Sequence, residues 1–159
     1  MKNLLLLAIL IAPAIMSAKG DIVKITIKGA NLATPIETTS PEIGVFNIFA
    51  GPGVRINGVE QTEGFIIDWS KGKLPQRQGE HYEITFYEGC RTISEYCHTA
   101  EPSIVYKVLY NKEGYVYLPG KDDEAFKYNH AMYHGHNLEG NWFQATTAWK
   151  NFVTPLITK

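Results

Sequence analysis

Three of the five histidines of this chain fall within HAMYHGHN, at His130, His134 and His136. Imidazole is a ligand for Zn²⁺ or Cu²⁺, and three imidazoles with an open fourth position make a hydrolytic zinc site. The spacing argues against that use. His130 and His134 share a face only on a helix, and His134 and His136 only on a strand, so no single regular element presents all three. Gly135 permits a turn that would converge them, but no H-E-x-x-H helix or carboxylate at fixed spacing supports a metal. The stretch therefore predicts a solvated surface loop. A small zinc-binding protein or metal-dependent hydrolase built on these three residues is the alternative reading.

Other groups could also do chemistry. His81 and Glu83 lie two apart in EHYEITFY and share the outward face of a strand, where a base and its orienting carboxylate could sit. At this spacing such residues commonly stand side by side in solvent. AGPGVRING (50–58) has the glycines of a phosphate cradle, yet Pro52 and the Asn57-Gly58 hairpin turn contradict the strand-to-helix context that a dinucleotide fingerprint needs. Arg55 beyond it could clamp an anion. Asp122, Asp123 and Glu124 lack the alternating acids of a Ca²⁺ loop and fit the first turn of a short helix running to about Tyr128. Nine tyrosines, seven phenylalanines and three tryptophans supply flat amphipathic rings. Trp69, Tyr115, Tyr117 and Trp142 could wall a groove for a small ligand or a protein partner.

Strands must position these residues. In EHYEITFY, Tyr82, Ile84 and Phe86 share one face, and in SIVYKVLY so do Ile104, Tyr106, Val108 and Tyr110. NKEG at 111–114 then turns the chain into YVYL, predicting a hairpin over about 103–118. Val108→Asp should unfold the domain, and Lys107→Glu, on the outward face, should be nearly silent. Further strands are expected at 22–28, 45–50, 64–69 and 141–145, and a hairpin at VRINGV. From Thr147, the spacing of Ala148, Trp149, Phe152 and Val153 predicts a short helix capped by Thr146 or Thr147, with Pro155 near its end. The expected class is mainly antiparallel β, sandwich-like or barrel-like, with one or two short helices near the C-terminus.

The first residues, MKNLLLLAILIAPAIMSA, read as a signal peptide over 1–18, cut after Ala18, because the apolar run is shorter than the roughly 20 residues of a membrane span. That leaves residues 19–159 as one β-rich domain, with 14 basic against 16 acidic residues and a net charge of about −2. No basic run or stripe is present, so nucleic acid is a poor partner. The mature chain is expected to be secreted or periplasmic, without a membrane span. In that compartment Cys90 and Cys97 are expected to form a disulfide worth about 2–3 kcal/mol.

TIKGANLATPIE (26–37), NIFAGPG (47–53), QTEGFIIDWSKG (61–72), GYVYLPG (114–120) and EGNWFQATTAW (139–149) together resemble a family of small exported bacterial proteins to which no function is assigned. The resemblance implies export and a compact β-rich domain, and it carries over no catalytic residue. No nucleophile elbow, P-loop or paired-carboxylate motif is visible, which shifts the reading from catalysis toward binding. The expectation is a noncatalytic extracytoplasmic domain that needs no cofactor and binds a protein or small ligand on an aromatic-lined surface with Trp69, Tyr115, Tyr117, Trp142 and Arg55. A structural envelope component is the third reading.

Overall fold

Alternating apolar residues dominate the ordered framework. A computed structural model describes residues 22–29, 31–46, 48, 50–62, 66–76, 79–89, 101–128 and 137–158. The expected signal segment 1–18, Cys90, Cys97, His130, His134 and His136 lie outside the described residues. The strands are β1 (Ile22–Gly29), β2 (Ile36–Thr38), β3 (Arg55–Ile56), β4 (Val59–Glu60), β5 (His81–Glu88), β6 (Ser103–Asn111), β7 (Tyr115–Leu118) and β8 (Asn141–Gln144). Helix α1 follows at Thr147–Ile157. Six strands make one antiparallel sheet in the order β2-β1-β5-β6-β7-β8, and β3 and β4 form a separate hairpin. The protein is thus mainly antiparallel β with a short C-terminal helix.

The face assignments read from the sequence hold. Tyr82, Ile84 and Phe86 of β5 and Tyr106, Val108 and Tyr110 of β6 are all fully buried. Between them the register pairs Tyr82 with Tyr110, Ile84 with Val108 and Phe86 with Tyr106. It then slips so that Tyr87 faces Ile104. Ile25 and Ile27 of β1 and Val116 and Leu118 of β7 extend the buried layer. Onto this layer α1 lays Trp149, Val153 and Ile157, one side chain per turn. Thr146 caps the helix, its hydroxyl accepting the Trp149 N–H at 3.1 Å. The helix ends at Ile157, with Pro155 near its end as expected.

Two expected strands are absent from the described parts of their segments. The segment 45–50 is entered through a short 3-10 turn, Pro41–Val45, and Phe46, Ile48 and Ala50 lie buried in the core outside any described strand. Of 64–69, Ile67 makes one isolated bridge to Ala145, and Trp69–Lys71 is another 3-10 turn. This irregular segment lines the outer edge of β8. The Asp68 N–H donates to the Gln144 carbonyl at 2.9 Å and the Leu74 N–H to the Trp142 carbonyl at 2.8 Å. Residues 121–125 are turns and bends and the described helical residues there begin at Phe126, so Asp122, Asp123 and Glu124 precede the helical residues instead of forming their first turn.

Candidate ligand-binding cleft

Adjacent residues of a strand point to opposite faces, and β8 places a large ring on each. Phe143 turns inward, its ring 4.9 Å from that of Trp69. Trp142 turns to the other face, opposite Tyr117 in the β7–β8 register. There its ring lies between two others, 5.2 Å from Tyr117 and 5.1 Å from His81, each pair inclined at 38°. Tyr117 and Trp142 were expected to share a surface, and they do. The third ring is an imidazole, contributed by the first residue of β5.

These rings border a cleft of 470 Å³ lined also by Leu74, Gln76, Leu109, Asp123, Gly140 and Asn141. A neighbouring hollow of 580 Å³ shares Tyr117, Asp123, Gly140 and Asn141 and adds Lys73, Lys121, Asp122, Asn137 and Glu139. Four shared residues make the two hollows one groove. The turn after β7 forms its wall through Asp123, whose Oδ2 accepts the Gly120 N–H at 2.6 Å and the Tyr117 hydroxyl at 2.8 Å. Burial, then the hydrogen bond to Asp123, holds the Tyr117 phenol above its usual range. Asn141 fixes the opposite wall, its Nδ2 donating to the carbonyls of Glu139 at 2.8 Å and Leu138 at 3.2 Å. The Lys73 ammonium donates to the Asn137 carbonyl. His81 Nε2 is shielded from water and has no hydrogen-bond partner among the described residues.

The remaining expected residues go elsewhere. Trp69 packs against the core beside Phe143, and Arg55 sits on the exposed β3–β4 hairpin, so neither lines the groove. Tyr115 is half-buried on β7, two residues from Tyr117, and is not among the groove residues. Glu83 does not serve His81 as an orienting carboxylate, because its Oε1 accepts from Lys107 Nζ at 2.9 Å. The glycine loop is no phosphate cradle. Val54 N–H closes it onto the Gly51 carbonyl, and at Gly53, φ +88°, an added Cβ would stand 2.5 Å from the Ser70 nitrogen. Its inner side is filled by protein backbone. Glu124 pairs loosely with Lys127 at 3.9 Å. Among the described residues no group of three or more His, Cys, Asp or Glu is placed to hold a metal ion.

Sequence reasoning missed Gln76, Asp123 and Asn141 as groove residues. Asp123 was read as a helix-start charge, and the other two are single amides in irregular or edge segments. The available signal was the alternation that sets His81, Tyr117 and Trp142 on one face. It required the β5-β6-β7-β8 strand order to become informative. No helix among the described residues is long and apolar enough to cross a membrane. No family model, curated protein or solved structure matches the chain.

Proposed function

We propose that this chain is a noncatalytic binding domain that takes a small ligand in the groove beside Trp142, Tyr117 and His81, and that it acts outside the cytoplasm, as its N-terminal segment predicts. The observation that carries this reading is the three-ring ladder bordering a cleft of 470 Å³. That volume falls in the range of about 300–1,000 Å³ typical of small-molecule sites, which pair apolar walls with a few fixed polar groups. Here Asp123 and Asn141 are held by hydrogen bonds to nearby backbone. Such walls need little reordering when a ligand enters. The engagement of Asp123 by a backbone N–H and a phenol also favours a positioning role over proton transfer.

A fragment screen read by ¹H–¹⁵N correlation spectra of the purified chain tests the proposal. Fragments should shift the Trp142 indole and the Gln76 and Asn141 amide resonances, with saturation. If no fragment at millimolar concentration moves them, the groove is not a ligand site.

A further inference from the structure

We infer that the ligand is a neutral, hydroxyl-bearing ring of the chemical class of an uncharged monosaccharide unit; this rests on the binding reading above and adds the ligand's chemistry. One end of the groove is flat and apolar, with Trp142, Tyr117 and His81 beside Leu74 and Leu109. The C–H face of a saturated ring suits such a wall, because aromatic faces give large contact area with little loss of side-chain freedom. The other end brings together Lys73 and Lys121 with Asp122, Asp123 and Glu139. Two ammonium groups interleaved with three carboxylates leave only a slight negative excess. A phosphate or carboxylate would meet a net negative rim, with one of the two cations already donating to the Asn137 carbonyl. A cationic ligand would meet the two lysines, and Asp123 Oδ2 already holds two donors.

The polar groups between these ends offer both donors and acceptors. Gln76 brings an amide with both capacities. Asn141 spends its Nδ2 on backbone carbonyls, which leaves Oδ1 as an acceptor. A hydroxyl both donates and accepts, so it can serve either amide. A purely aromatic ligand would fill the apolar wall and leave these groups unmatched.

The test titrates the purified chain with three neutral probes, methyl α-glucopyranoside, methyl β-galactopyranoside and N-acetylglucosamine. Glucuronate, glucosamine and phenol serve as the acidic, cationic and aromatic counterparts, all followed by ¹H–¹⁵N shifts. At least one neutral sugar should shift the Trp142 indole and the Asn141 and Gln76 amides saturably. Its affinity should exceed that of the charged and aromatic probes by about tenfold. His81→Ala removes one ring of the wall beside Trp142, so it should weaken the sugar severalfold. Arg55→Ala, on the distant hairpin, should leave binding unchanged. Cleft binding by glucuronate, glucosamine or phenol without any neutral sugar would overturn the ligand class and keep the groove as a binding site. Silence of the cleft resonances toward every probe would overturn both readings, and undiminished sugar binding by His81→Ala would remove His81 from the recognition set.

Discussion

Asp123 stands in DDE, a run whose local sequence suggests only the start of a helix, yet its carboxylate closes the 120–123 turn and receives the Tyr117 hydroxyl. Asp123→Ala should therefore cost about 1.5–3 kcal/mol, the range for hydrogen bonds to a charged group, and should also disturb ligand binding through Tyr117. Urea unfolding checks the first effect and cleft titration the second. Lys107 shows how solvent-face position can mislead. It does lie opposite the core face, but its ammonium bonds Glu83 at 2.9 Å and sits 4.8 Å from the centre of the Tyr128 ring. The expectation that Lys107→Glu would be silent is corrected by that environment. The substitution sets two carboxylates together on a largely covered surface, at a cost of about 1.5–3 kcal/mol, and the exchanged pair Lys107→Glu with Glu83→Lys should recover part of it. Recovery is read from the urea midpoints of the single and double variants. Tyr110 and Tyr117 both hold their protons above the usual phenol range, in each case chiefly through burial. Their folded-state pKa values exceed the unfolded value near 10, so the associated stability is complete below that value and is lost as pH rises through the raised values. Stability should fall as pH rises above about 10. Tyr110→Phe should flatten that decline in a series of urea midpoints against pH.

The long strands were readable because alternation over eight or nine residues leaves one register that buries every apolar side chain. The short β3–β4 hairpin was readable for a different reason. Its Asn57 and Gly58 both adopt positive φ, 52° and 80°, as a tight two-residue turn requires. Segments 45–50 and 64–69 misled because continuous apolar runs do not distinguish a paired strand from an irregular stretch that buries its side chains singly. Their described residues pack mostly as core or along the β8 edge, so tertiary context decided their form. Helix α1 combined both signals, apolar spacing and a threonine cap. Thr146→Ala should cost about 1 kcal/mol, with Thr146→Ser close to wild type. An equal loss from both substitutions in thermal or urea unfolding would show that the capping hydroxyl contributes nothing.

The sheet separates the two tasks of the molecule by face. The groove residues His81, Tyr117 and Trp142 occupy one side, and the aromatic core under α1 occupies the other. This division could not be read from the sequence, because the groove unites β5, β7, β8 and the turn at 120–123 through a strand order that no local pattern encodes. Trp149 is the centre of the stabilising side. It is fully buried, with ring centroids 5.0 Å from Phe46, 5.6 Å from Phe86, 5.9 Å from Phe152 and 6.4 Å from Tyr110. Those contacts join the 3-10 turn region, β5, β6 and α1, so truncation leaves a cavity where four parts of the chain meet. Trp149→Ala should cost about 3–5 kcal/mol, a large share of the roughly 5–15 kcal/mol that holds a domain together. Its indole nitrogen has no hydrogen-bond partner among the described residues, so Trp149→Phe removes a buried donor along with some packing volume and should lose much less. Because Trp149 lies across the sheet from the groove, Trp149→Phe should retain the ligand-induced shifts of the Trp142 indole. Urea unfolding and cleft titration on the same samples measure the two effects. Lost binding in a folded Trp149→Phe variant would show that the faces are coupled and that the groove depends on core packing for its shape.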